Sequence, residues 1–374
     1  MPQLLKTLPQ LCTLPALILL TGCLHDDGSG SDNDHLTGQV TVSGIRGLSY
    51  RSASATGVTN DTGQFQYYPG ERLQIGVGDL VLVTDVPADD IITPMDFQAS
   101  ARAALQSPGV NDEGLRDHRP TERQLLQDPT LLNMTRFLLA LNWNETIAEG
   151  ETLDIRDRVI EQLNAALAQQ ESPIDFSVDP AEFEAAGLTP SPANQLLAQI
   201  CFYPEGDTRC DTPPTQAEID AAPPRPIDVE ERDPELLYQE DLIGLRERIA
   251  SAVRNLEQFD SEKAENYLTQ QLDLATRTYA NQYYLDSETA AHPATDTAIH
   301  SVRLRKIGAE PELATLEAVS LREADVAIHA YDWQSATVEY FITGEAGGES
   351  DLLVNFRPEG DYRWLRKQLR VLIQ

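Results

Sequence analysis

Asp325-Val326-Ala327-Ile328-His329-Ala330-Tyr331, Ala336-Thr337-Val338-Glu339-Tyr340-Phe341-Ile342-Thr343 and Asp351-Leu352-Leu353-Val354-Asn355-Phe356-Arg357 decide the fold of the last third of this chain. Apolar side chains recur at every second position: Val326/Ile328/Ala330, Val338/Tyr340/Ile342 and Leu352/Val354/Phe356. A period of two places them on one face of a strand. Each run reads as a strand buried on one side and wet on the other, the habit of antiparallel sheets. Gly344 to Gly348 and Pro358-Glu359-Gly360-Asp361 are turns between them. Runs at 301–307, 313–320 and 364–372 extend the series. Upstream, Leu242, Leu245, Ile249, Val253 and Leu256 form one helical stripe and Tyr267, Leu268, Leu272 and Ala275 a second, separated near Asp260-Ser261. Helices followed by an antiparallel sheet give an α+β fold.

This order, over 234–374, resembles the NTF2-like (cystatin-like) superfamily, in which a curved antiparallel sheet wraps N-terminal helices around a conical cavity. The resemblance rests on 256–264, Leu-Glu-Gln-Phe-Asp-Ser-Glu-Lys-Ala, and on the closing 355–364, Asn-Phe-Arg-Pro-Glu-Gly-Asp-Tyr-Arg-Trp. It implies a cone lined by residues such as Tyr340, Phe356 and Trp364, where a small apolar ligand or lipid would bind. Enzymes of the superfamily place an Asp/His or Tyr/Asp pair inside the cone, and Asp325, His329, Asp332 and Tyr340 are the candidates here. The alternation sends Asp325 and His329 outward, so no catalytic residue is expected.

Moving toward the N-terminus, 211–233 carries Pro213-Pro214 and Pro223-Pro224-Arg225-Pro226 and reads as a linker. Before it, 98–210 is a helical region. Leu132, Phe137, Leu138 and Leu141 mark one helix, and Ile155, Val159, Leu163 and Leu167 mark another with Asp154 and Asp157 in its first turn. Cys201 and Cys210 flank Pro204-Glu205-Gly206-Asp207, a turn that folds the ends back toward each other, and are expected to form a disulfide.

Residues 36–97 switch to short β-branched and aromatic runs punctuated by Gly and Asn/Asp, a small antiparallel β module. Gly47-Leu48-Ser49-Tyr50, the segment 59–67 (Thr-Asn-Asp-Thr-Gly-Gln-Phe-Gln-Tyr), Pro69-Gly70-Glu71, Thr93-Pro94-Met95-Asp96 and the helix beginning at Asn133 follow the order of a module that is similar to one in bacterial surface and adhesin-like lipoproteins. An adhesin-like surface role is what that resemblance implies. Asn60-Asp61-Thr62-Gly63 is a turn, with Asp61 expected to bond locally and Gly63 to supply positive φ.

At the start of the chain, Lys6 and the apolar run 11–20 lead into Leu20-Thr21-Gly22-Cys23, which resembles a bacterial lipobox. The resemblance implies cleavage between Gly22 and Cys23, removal of 1–22 as a signal peptide, and a diacylglyceryl and palmitate-type acyl anchor on Cys23, chains that together hold a protein on a membrane. Leu24 stands where inner-membrane retention signals have Asp, so outer-membrane residence is expected. The acidic segment 23–35 reads as a solvated tether.

The 374 residues include 60 acidic and 28 basic side chains, a net charge of −32. Loss of Lys6 with the signal takes −32 to −33. A surface so acidic repels nucleic acid, and the membrane is met through the lipid anchor alone. No G-x-S-x-G, H-E-x-x-H, P-loop or G-x-G-x-x-G stands in the chain, and His25, His35, His118, His292, His300 and His329 are scattered. No cofactor and no metal are expected. The sequence as a whole points to a non-enzymatic, lipid-anchored envelope protein with a scaffolding role. Its partners would be envelope proteins or, in the alternative, an apolar ligand bound as an accessory to lipid or solvent transport.

Overall fold

A computed structural model describes residues 35–374. Gly22, Cys23 and nearly all of the acidic tether lie outside the described residues. The chain is mixed α and β, with most strand pairs antiparallel.

The N-terminal strands are β1 (Leu36–Val40), β2 (Ile45–Arg46), β3 (Ser49–Arg51), β4 (Thr56–Val58), β5 (Gln64–Tyr67), β6 (Arg72–Val77), β7 (Leu80–Pro87) and β8 (Ile91–Ile92). They form a sheet of order β4-β3-β6-β7 and a smaller one of order β5-β1-β8. The turn into β5 is organised by Asn60 rather than by Asp61. The Asn60 Oδ1 accepts from the Thr62 and Gln64 amides at 3.0 and 2.9 Å, while Asp61 reaches out to Arg46 at 3.2 Å. Gly63 has φ +75°, and a Cβ there would lie 2.4 Å from the Ile45 nitrogen, so only glycine fits.

The helical region holds α1 (Ala99–Leu105), β9 (Gly109–Val110), β10 (Arg116–Asp117), α2 (Arg119–Leu125), α3 (Pro129–Leu141), β11 (Leu153–Asp154), α4 (Asp157–Leu167), α5 (Pro180–Phe183) and α6 (Pro192–Leu197). α3 starts well: Asp128 accepts from the Leu131 amide at 3.0 Å and Pro129 occupies the first turn, both favoured there. Asp154 is not in a helix. It ends β11, which pairs in parallel with β2 through Leu153↔Ile45. Through that pairing the helical region enters the β module, and both share one core that includes Val40, Phe65, Ile75, Phe137, Leu163 and Leu196. The sequence boundary at 97/98 therefore cuts through a common core rather than between domains.

The proline-rich 211–233 is not uniformly irregular. It carries α7 (Gln216–Ala221), which begins with a capping box: the Thr215 amide donates to Glu218 at 2.7 Å and the Glu218 amide to the Thr215 hydroxyl at 3.3 Å. Reciprocal capping nucleates this short helix between the proline pairs. α8 (Gln239–Ala252) and α9 (Ser261–Ala280) follow. α9 is twenty residues long, roughly 30 Å, and is the spine of the molecule. Ala264 and Tyr267 join the N-terminal core. Leu268 and Leu272 join a middle cluster with Met95, Leu105 and Tyr362, and Tyr279 and Ala280 reach the C-terminal core.

The last strands are β12 (Tyr283–Leu285), β13 (Thr289–His292), β14 (His300–Lys306), β15 (Leu313–Ser320), β16 (Val326–Asp332), β17 (Thr337–Ile342), β18 (Glu349–Pro358) and β19 (Leu365–Ile373). In place of one curved sheet there are two of four strands, β12-β14-β17-β16 and β13-β19-β18-β15, with β13 parallel to β19. Side chains from both, among them Val302, Val338, Tyr340, Val354, Phe356 and Val371, form a single core. The alternation holds through β17, is lost in β18, where Leu352 to Phe356 are buried on both faces, and fails in β16. The register slips between Ile328 and Ala330, leaving only Val326 fully buried and Ala330 exposed. A bulge of this kind twists a strand away from its sheet.

Where α2 meets β19, polar groups are buried. The His118 Nδ1 accepts from the Trp364 amide at 3.0 Å, and its Nε2 lies 3.3 Å from the Thr276 hydroxyl. Because the Nδ1 accepts, the ring proton is on Nε2. The Tyr362 hydroxyl donates to Glu122 at 2.8 Å.

Candidate functional site

The three residues expected to line a cone do not line a common cavity. Tyr340 and Phe356 are 3% and 0% exposed within the core between the sheets. Phe356 packs on the Tyr283 ring at 5.0 Å between centroids. Trp364 lies elsewhere, on the border of a crevice of about 140 Å³ that also gathers Arg116, Arg119, Arg277 and Arg366. Asp117 also lines it, and Arg116 and Arg366 already face Glu317 and Glu113, so the positive charge is partly met within the chain.

The four catalytic candidates do not converge either. Register places Tyr340 opposite Ile328 and pointing inward, whereas His329 is exposed on the other face beside Phe341. Asp332 accepts from the amides of Gln334 and Ser335 and shapes the β16–β17 turn. Asp325 pairs with Arg322 at 2.9 Å, and its backbone carbonyl accepts from Thr343 and Gly344.

Cys201 and Cys210 are joined by a disulfide with Cα atoms 5.5 Å apart. The loop turns back where the Asp207 amide donates to the Pro204 carbonyl at 3.1 Å. A longer groove runs beside α9. It has a volume of about 300 Å³, with Leu139, Ile147, Phe259 and Tyr267 on its apolar side and Lys263 and Glu145 among its polar residues.

One cluster escaped the sequence reading. His292, Asp296 and His300 offer ligand-type atoms that all lie within 4.8 Å of one another. His292 ends β13 and His300 begins β14, so the segment between them crosses from one sheet to the other. Pro293 follows the strand, and the Asp296 amide donates to its carbonyl at 2.9 Å. The Asp296 Oδ1 accepts from the Ala298 amide at 2.9 Å, closing the turn in the way Asp commonly does. Its Oδ2 stands 3.1 Å from His300 Nε2 and 3.8 Å from His292 Nδ1. The two imidazoles stack at 3.7 Å. The second nitrogen of His292, Nε2, lies 3.0 Å from the Tyr340 hydroxyl. Burial, followed by the neighbouring His300, holds the His292 pKa below its usual value against the pull of Asp296. The Ala298 amide, and behind it His300, keeps the Asp296 carboxyl ionised to lower pH than usual. These two histidines, scattered in sequence, are neighbours in the fold. The signal was present as a His, Asp and His repeating every four residues, but a four-residue period suggests a helix and here it spans a turn.

Among known proteins, no family model and no curated sequence matches the chain. Among the described residues, no helix is long and apolar enough to cross a membrane.

Proposed function

We propose that this is a lipid-anchored protein of the bacterial outer membrane, attached through Cys23, that serves as a scaffold or interaction partner in the envelope and performs no catalysis. The observation that carries the reading is the filled space between the two C-terminal sheets. Tyr340 and Phe356 contribute to packing there, and a packed interior of this kind has no room for a guest. Kinship of 234–374 with the NTF2-like superfamily remains part of the proposal. The order of α8 and α9 before the sheets favours it, while the closing of two sheets on one another departs from an open cone.

The groove beside α9 favours a second reading, in which a small apolar ligand or lipid binds there instead of between the sheets. Its size and mostly apolar wall suit such a guest.

Native mass spectrometry of the full chain from a Gram-negative envelope, before and after organic extraction, tests both. The expected mass is that of 23–374 plus the covalent acyl groups, with no other adduct, and Cys23→Ser removes the acyl mass and the membrane attachment. An unacylated wild-type chain refutes the anchor. A stoichiometric lipid adduct that extraction removes and Ile147→Trp abolishes overturns the scaffold reading in favour of a carrier.

A further inference from the structure

We infer that His292, Asp296 and His300 form a binding site for a divalent transition-metal cation of the zinc type, which clips together the two C-terminal sheets. Two imidazole nitrogens and one carboxylate oxygen are a donor set suited to borderline cations and ill suited to magnesium or calcium, which prefer all-oxygen shells. Zinc takes such ligands at about 2.0–2.2 Å, so a tetrahedral shell has donor-to-donor edges of roughly 3.3–3.5 Å. Separations of 3.1 and 3.8 Å from Asp296 Oδ2 to the two nitrogens bracket that edge.

Two of the three ligands are held from behind. The Ala298 amide occupies Asp296 Oδ1 and leaves Oδ2 free. The Tyr340 hydroxyl fixes the Nε2 of His292, directing Nδ1 toward Asp296 and His300. An oxygen partner on the outer nitrogen of a ligating imidazole is the usual way of fixing ring and tautomer. This gives the buried Tyr340 hydroxyl a role that packing alone does not. In register, Tyr340 stands directly opposite His300, and its ring lies 5.6 Å from the His300 ring, so one residue of β17 neighbours both histidines. The side chains of His292, Asp296 and His300 keep 16%, 25% and 22% of their surface exposed, enough for a cation to enter and for water to complete its shell. The strongly acidic surface raises the local cation concentration.

The position gives the site its consequence. β13 belongs to the sheet of β19 and β14 to that of β17, so a cation ligated from both ends of the crossover resists separation of the sheets at this edge.

The test titrates Zn²⁺ into the chelator-stripped full chain by calorimetry, then substitutes Co²⁺ and records its visible spectrum. One equivalent should bind, with intense absorption typical of four-coordinate cobalt, and the melting temperature should rise. The H292Q/H300Q double variant should lose saturable binding. Asp296→Asn, which retains an acceptor for the Ala298 amide, should bind at least tenfold more weakly while melting as the metal-free wild type does. Tyr340→Phe should weaken binding on the order of tenfold. No saturable binding by the wild type, or binding unchanged in both the double variant and Asp296→Asn, overturns the proposal and in the latter case places the metal elsewhere in the chain.

Discussion

His118 gives the molecule a pH dependence that can be worked out from its contacts. The ring is fully buried, and its Nδ1 already accepts the Trp364 amide, so a second proton must break that bond and charge a desolvated ring. Burial first, then the positive charges of Arg363 and Arg119, outweigh the pull of Asp117 and push the pKa down to about 3. Unfolded, the ring returns to about 6.5. With the folded value depressed, the unfolded chain binds the extra proton between those limits. Stability from this group is therefore complete above pH about 6.5 and falls as pH drops. From pH 7 to pH 5 the loss is about 2 kcal/mol. Glu122 works in the opposite sense, since burial raises its pKa despite the Tyr362 hydroxyl and nearby arginines, and a raised carboxyl gains stability on acidification. The wild-type curve alone mixes the two. His118→Asn keeps an acceptor near Nδ1, leaves Glu122 in place and removes only the titrating ring. Urea unfolding followed by tryptophan fluorescence should show the variant less stable at pH 7, with the gap narrowing by about 2 kcal/mol at pH 5. A gap constant to within about 0.5 kcal/mol would refute the reasoning, because the ring would then titrate alike in both states.

Two further perturbations test individual ties within the fold. Arg136 is 0% exposed and donates to the carbonyls of Phe259, Leu256 and Pro180 and to Glu184. Arg136→Met should cost about 2–4 kcal/mol in urea unfolding, since it leaves three carbonyls without their donor; a loss below about 1 kcal/mol would show that water replaces the guanidinium freely. The C201S/C210S pair opens a loop of nine-residue separation and should lower stability by about 2–3 kcal/mol on chain entropy. An unchanged melting temperature would mean that the turn at Pro204–Asp207 closes the loop unaided.

Much of the local structure is legible in the sequence. Period-two alternation marks the strands that became β17 and β18, and apolar stripes mark α3, α4 and α9, because the face a residue presents depends on its neighbours in sequence. The pairing of Cys201 with Cys210 could be read for the same reason, since both the turn and the bond are local. The short strands β11, β12 and β13 could not be read, because two to four residues carry no usable period and each exists only through a distant partner. The bulge in β16 was equally hidden, since it follows from pairing with β17 and not from the alternation of β16 itself.

What the sequence determined, then, was the set of faces: which stretches are helical or extended, where they turn, that the surface is strongly acidic, and that Cys23 stands in a lipobox-like context. Which faces meet was decided only in three dimensions. Tertiary structure merged the β module and helical region into one core, closed two sheets over Tyr340 and Phe356, and set Trp364 apart from both. It also brought His292, Asp296 and His300 into ligand range, since a turn between strands of different sheets sets that distance. Burial and ligation are properties of pairs of segments, and no single segment encodes its partner.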